Sequence, residues 1–310
     1  MSTSLHRRRF LSLSAALGAR ALFGASFVAP WRASGSLGVA FLSPASPDEY
    51  ATAARLGARF GAEEGTHTAA LFGRRLVFDE HAYGDAGDAA RAARAALERG
   101  ATVLVGGFDA ESCLAVAEVA AAAGAAFLNV ASADDRLRGD RCAASMFHVA
   151  ASDAMRADAL AAARAADAGL HPAATVELWH PTLERFGAAQ LGDRFRARHG
   201  AGMRSAAWAG WFALKAVTDV ALRAAPGASM TSLLASPSAQ FDGHKGVRLS
   251  FRAWDRQLRQ PLYVVHDERV VAELPPSRGA AATASVRERL DALGTPAGRS
   301  PCSLSSSTDS

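Results

Sequence analysis

Cysteine occurs three times in 310 residues, tyrosine three times, and Lys215 and Lys245 are the only lysines. Three cysteines cannot build a disulfide framework, and no C-x-x-C spacing supports a zinc ribbon or a thioredoxin-like redox pair. Aromatic residues make up 7% of the chain, too few for an all-β sandwich, while much of its 50% hydrophobic content is alanine, which suits closely packed helices. The dinucleotide turn G-x-G-x-x-G and a phosphate loop ending in Gly-Lys-Ser/Thr are missing. So are the G-x-S-x-G elbow and the H-E-x-x-H helix, and no catalytic set points to an enzyme. Excess basic charge is missing too, once it is located. The formal charge is +4, but Arg7, Arg8, Arg9, Arg20 and Arg32 precede any acidic residue, and without those five the 34 basic residues become 29 against 30 acidic ones. A nucleic-acid partner is excluded on that ground.

Those arginines belong to a leader. Met1 to Arg9 is short and positive, Phe10 to Val28 is small and apolar, and Ala33, Ser34 and Gly35 follow, so residues 1–35 read as a signal peptide. Arg7-Arg8-Arg9-Phe10-Leu11 resembles the twin-arginine export motif, from which Arg20 inside the apolar stretch departs. Export to the periplasm by the twin-arginine or the Sec route is expected. In that oxidising space one pair at most of Cys113, Cys142 and Cys302 can close within the chain. Cys113 lies in an apolar helical run and reads as a buried thiol; Cys142 and Cys302, among polar residues, are the pair to test first.

From Ser36 short apolar runs alternate with alanine-rich helical ones. Strands are expected at Leu37 to Leu42, Leu76 to Phe78, Thr102 to Val105, Ala126 to Val130 and Met146 to Val149. Helices are expected from a Ser46-Pro47-Asp48-Glu49 capping box to about Glu64, over Asp85 to Arg99 and Ser112 to Ala123, and from a cap at Ser152 to about Asp167. Such repetition means βαβ units: an α/β fold with a parallel sheet covered by helices on both faces. Beyond Gly169 the pattern becomes irregular to Pro181, then helical over Thr182 to His199 and Ser205 to Ala225. A strand follows at Val247 to Phe251, then a hairpin of Tyr263 to Val265 and Val270 to Ala272. Residues 275–310, rich in Pro, Ser, Ala and Gly, read as a mostly disordered low-complexity tail with at most a helical turn near Val286 to Leu290.

Ligands of an open parallel sheet collect at the carboxyl ends of its strands, here in the loops Ser43 to Tyr50, Asp79 to Gly84, Gly106 to Ser112 and Asn129 to Asp135. Asp79-Glu80-His81 with Asp85 is the densest set of metal-ligand types, yet acids at a helix start explain it without a metal. Trp208, Trp211 and Phe212 read as the buried face of a helix rather than a stacking surface, and Asp255 and Glu184 have no evident partner.

Several stretches carry a resemblance. Gly38-Val39-Ala40-Phe41-Leu42-Ser43-Pro44, Arg74-Arg75-Leu76-Val77-Phe78-Asp79, Val103-Leu104-Val105-Gly106-Gly107 and Phe127-Leu128-Asn129 resemble the branched-chain amino acid type of periplasmic binding protein. Asp134-Asp135-Arg136-Leu137-Arg138-Gly139, Trp208-Ala209-Gly210-Trp211, Phe241-Asp242-Gly243-His244-Lys245-Gly246 and Leu258-Arg259-Gln260-Pro261-Leu262-Tyr263-Val264-Val265 look like the subfamily whose genes accompany pyrroloquinoline-quinone-dependent alcohol dehydrogenase systems. The resemblance implies a type I fold of two lobes, a small-molecule solute delivered to an ABC transporter permease, and no cofactor or enzymatic activity. It places the first lobe at residues 36–150 with 200–235, and a second at 151–199 with 236–274 that lacks two or more βα units.

Ser43, Tyr50 and Asn129 fall in the expected ligand loops, and the positions matching the relatives' ligand groups are Ala110, Glu111, Ser112, Ala131, Ser132 and Ala133, with Asp109 beside them. Hydroxyls are largely replaced, and Asp109, Glu111, Asp134 and Asp135 crowd the rim, which disfavours a free carboxylate and suits a neutral alcohol-like solute or a cation. The alternative is a degenerate interaction protein that docks on a quinoprotein dehydrogenase or cytochrome.

Overall fold

The computed structural model describes residues 36–225, 227–276, 284–302 and 304. The expected leader and the tail positions 277–283, 303 and 305–310 lie outside them. The first half of the chain is β1 (Ser36–Pro44), α1 (Glu49–Leu71), β2 (Arg75–Tyr83), α2 (Ala86–Glu98), β3 (Val103–Gly106), α3 (Ala110–Ala123), β4 (Ala126–Asn129) and β5 (Met146–His148). The five strands form one parallel sheet in the order β2-β1-β3-β4-β5. β3 and β4 are buried along their whole length, as central parallel strands covered on both faces must be, and β5 at the far edge is buried too because Gln257 and its neighbours lie along it. The edge strand β2 pairs with β1 over nine residues, far beyond the expected Leu76 to Phe78, because an edge strand can continue through polar residues such as Asp79, Glu80 and His81.

α1 is capped by Asp48, whose carboxylate accepts from the Ala51 N–H, and not by Ser46. It also runs to Leu71 rather than to about Glu64. It lies against α6 (Ser205–Arg223) through glycine: a Cβ on Gly57 would meet the Ala207 backbone, and one on Gly210 the Ala54 backbone.

The remaining elements are α4 (Asp153–Ala166), β6 (Thr175–Glu177), α5 (Ala188–His199), α7 (Met230–Ala235), β7 (Phe241–Asp242), β8 (Arg248–Phe251), β9 (Leu258–Arg259), β10 (Leu262–His266), β11 (Arg269–Leu274) and α8 (Val286–Asp291). They make an antiparallel sheet β11-β10-β6 and a small ribbon β7-β8-β9. β6 was not expected, since Thr175-Val176-Glu177 holds a single apolar residue. α5 begins at Ala188 rather than Thr182, because Phe186 (φ 59°) and Gly187 (φ 84°) are left-handed and break the run.

Trp208 and Phe212 of α6 are buried in a ladder of rings that joins the parts. Trp179 stacks on Trp208 at 6.0 Å and Trp208 on Phe212 at 5.0 Å, and contacts then pass through Phe241 and Phe251 to Phe147 of β5. The region expected to be a disordered tail is ordered over 284–302. Leu290 and Leu293 are buried, and the Arg252 guanidinium donates to both their carbonyls. Cys142 and Cys302 are joined as a disulfide, while Cys113 is a buried thiol whose pKa burial pushes up to about 12. Asp255 is buried 3.6 Å from the Arg252 guanidinium, so it has the partner that sequence did not show. Among the described residues no group of three or more His, Cys, Asp or Glu is placed to hold a metal, and no helix is long and apolar enough to cross a membrane.

Candidate functional site

The carboxyl ends of β1, β3 and β4 meet at one edge of the parallel sheet. After β3 the chain turns at Gly106 (φ 159°) and Gly107 (φ 89°). A side chain at Gly107 would lie 2.7 Å from the Cys113 Sγ and 3.0 Å from the Asn129 Oδ1, so both the dihedral and the space require glycine there. The turns after β3 and β4 are pinned together: Val130 N–H donates to the Gly106 carbonyl at 2.8 Å and Ser132 N–H to the Gly107 carbonyl at 2.7 Å.

Asn129 organises the second turn. Its Oδ1 accepts from the Ala131 and Ser132 N–H groups, and its Nδ2 donates to the Ser132 carbonyl and to the His148 Nδ1. That arrangement makes Nδ1 the acceptor, so the imidazole carries its proton on Nε2 and donates it to the Leu137 carbonyl at 3.1 Å. Burial holds the His148 pKa well below its ordinary value, with the nearby Arg138 acting in the same direction.

Arg138 lies beneath the same loop. It is 4% exposed and donates to the carbonyls of Ser132, Asp134 and Ala150 and to the Gln257 Oε1, at 2.9–3.0 Å. Burial lowers its pKa to about 10. Gln257 donates in turn to the His148 and Ala150 carbonyls, and Gln260 to the Val149 carbonyl, which fastens the β9 region along the edge of β5.

Ser43 is buried at the end of β1, and Tyr50, in the first turn of α1, reaches across to donate to the Val130 carbonyl at 3.4 Å. Burial raises the Tyr50 pKa against the opposing charge of Arg156, with Asp48 and Glu177 adding to the rise, so the phenol stays neutral beside α4 and β6. Asp109 caps α3 by accepting from the Ser112 N–H at 2.8 Å, leaving Ala110 and Glu111 in the first helical turn and Ser112 buried. Ala131, Ser132 and Ala133 form the loop directly above Arg138, and the Ala133 carbonyl accepts from the Asp153 N–H at the start of α4.

The rim acids do not stand as free like charges. Arg136 donates to both Asp134 oxygens and lies 3.8 Å from Glu111, and its hydrogen bond holds the Asp134 pKa below its ordinary value. Asp135 accepts from the Ala154 N–H in the first turn of α4, whose cap is Ser152 as expected. At β2 the acid cluster is likewise taken up, Glu80 by Arg59 and His81 by Arg99. Sequence reasoning quoted Arg138 only inside a motif and passed over His148, Gln257, Arg156 and Glu177. Nothing short of the fold brings these together, since Arg138 and Gln257 lie 119 residues apart.

A parallel sheet with long loops gathered at its carboxyl edge, followed by a smaller sheet, is the fold of the type I periplasmic binding proteins. Residues 39–178 match the family model described as "Periplasmic binding protein". Among solved structures, the chain is similar to a periplasmic binding protein from Burkholderia mallei at 14% identity and a TM-score of 0.70, over 87% of this chain and 99% of that one. It is similar to a branched-chain amino acid ABC transporter periplasmic ligand-binding protein from Burkholderia xenovorans at 11% identity and a TM-score of 0.70, over 86% and 99%. A branched-chain amino acid transporter substrate-binding protein from Streptococcus pneumoniae, solved with isoleucine, matches at 14% identity and a TM-score of 0.63, over 77% and 98%. Identities this low establish the shared fold. A search of the curated proteins finds no match.

Proposed function

We propose that this chain is the periplasmic solute-binding component of an ABC importer and holds a small solute at the rim made by Ser43, Tyr50, Asp109 to Ser112, and Asn129 to Ala133. The observation that carries the reading is the double turn itself: the Gly106 and Gly107 carbonyls locked to the Val130 and Ser132 N–H groups of the Asn129 loop, with α1, α4 and β6 brought alongside. The five-stranded sheet with α6 forms one jaw, and α4 with the sheet β11-β10-β6 the other. The leader would carry the chain to the periplasm, and the linkage to quinoprotein alcohol oxidation follows the sequence resemblance.

The solute we infer is small and lacks a free carboxylate. The Ser112 N–H at the start of α3 is held by Asp109, and the carboxylates of Asp109 and Glu111 stand where an anion would meet that helix end. Thermal melting of the mature chain against short alcohols, diols, choline, L-leucine and L-isoleucine tests this. A midpoint that rises with alcohol or choline concentration is expected; a rise only with leucine or isoleucine overturns the solute class, and no rise with any solute overturns the reading. One observation favours docking on a quinoprotein dehydrogenase or cytochrome instead: the polar groups of Asn129 are all satisfied internally. Under that reading the midpoint rises only with the purified partner.

A further inference from the structure

The segment 284–302 lies across three parts of the molecule. At α4, the Gly294 N–H donates to the Asp158 carboxylate at 2.7 Å and Gly294 sits against Met155. At the β8–β9 ribbon, Arg252 and Arg259 both donate to Asp291, Arg252 donates further to the Leu290 and Leu293 carbonyls, and the Trp254 Nε1 donates to the Thr295 carbonyl at 3.2 Å. At the loop before β5, Pro301 packs on Gly139 and Cys302 is bonded to Cys142. That loop is the direct continuation of residues 131–138, which form the rim and contain Arg138. Asp135 in the same stretch accepts from the Ala154 N–H in the first turn of α4, so the end of the segment and the start of α4 bear on one loop from two sides.

We propose that residues 284–302 are a strap that restrains α4 and the rim loop relative to one another, and that the Cys142–Cys302 disulfide is its fastening. Its consequence for solute binding rests on the rim being the solute site; the restraint itself does not. With the disulfide closed, the strap is tied at α4, the ribbon and the loop, and movement of α4 away from the loop must break the Gly294–Asp158 bond and expose Leu293. When a dithiol opens it, two electrons and two protons pass from the dithiol to the two sulfurs, Cys142 and Cys302 become thiols, and the dithiol closes into its own disulfide. At its far end the contact of Pro301 on Gly139 then remains.

Amide hydrogen exchange on the mature chain, without solute, tests the restraint in wild type and in C142S/C302S. Exchange at least tenfold faster in residues 135–145, 153–158 and 290–302, with β1, β3 and α2 unchanged, is the expected result. Acceleration confined to 300–302, acceleration spread through the whole sheet, or no change each overturns it. Should the double variant fail to fold, native wild type treated with dithiothreitol supplies the same comparison. Because no solute is present, failure here leaves the solute reading standing, and failure of every solute to shift the melt leaves the strap standing.

Discussion

Asn129, His148 and Arg138 form a buried polar cluster in which each group has a partner, and that satisfaction makes its chemistry sensitive to pH. The unfolded His148 has a pKa near 6.5, while burial places the folded value well below. As pH falls through 6.5 the unfolded chain takes a proton that the folded chain refuses. The unfolded state then binds more protons, and stability drops toward acid by up to about 1.4 kcal/mol per pH unit until the folded pKa is reached. Well above pH 6.5 this group gives no slope. Urea titrations at pH 7.5, 6.5 and 5.5 should show His148→Gln losing about 1 kcal/mol less than wild type between the last two; parallel losses would contradict the assignment. Gly107→Ala belongs to the same scale. At φ 89° and 2.7 Å from the Cys113 Sγ, its methyl group should cost about 1–3 kcal/mol, read as a lower urea midpoint at unchanged slope. Gly107 was legible in sequence because a strand-to-helix bend beside a ligand rim asks for glycine. His148 and Arg138 were not, because their roles depend on which distant carbonyls the fold brings to them.

At the scale of elements, the parallel sheet could be read directly from alternation of apolar and alanine-rich runs, since β3 and β4 are buried on both faces and carry no polar residue before the terminal Asn129. Elements lost to reading fail for identifiable reasons. β6 is a three-residue strand whose order comes from pairing with β10, not from its own residues. The start of α5 is set by the left-handed Phe186, a conformation that composition does not announce. α1 packs this closely on α6 because Gly57, Gly61 and Gly65 carry no side chain, so much of its stability is tertiary. Gly57→Ala places a methyl group into the Ala207 backbone and must part the two helices. A loss of about 2 kcal/mol or more is expected by chemical unfolding, against a change within about 0.5 kcal/mol for Gly298→Ala, where an added Cβ meets nothing. Equal effects at the two positions would show that α1 and α6 do not pack this closely.

For the whole molecule the question is whether the two sheets melt as one body. The ring ladder runs from Trp179 beside β6 to Phe147 of β5, and Gln257 and Gln260 fasten the β9 region to the same strand. Cys302 is tied back to Cys142 across a separation of 160 residues, and the segment before it, which reads as disorder by composition, is ordered by that bond together with Arg252, Arg259, Trp254 and Asp158. A cross-link of that span stabilises by up to about 5 kcal/mol in the chain-entropy account, chiefly by restricting the unfolded chain. One core cluster runs unbroken from β1 through α6 to β8 and β10. The oxidised mature chain should therefore unfold in one calorimetric transition whose van't Hoff and calorimetric enthalpies agree. Reduction should lower that transition by several degrees while keeping it single, because the ring ladder and the glutamine contacts survive loss of the disulfide. Two resolved transitions in the oxidised chain would mean that the sheets are independent bodies and that the shared core at α6 is too weak to couple them.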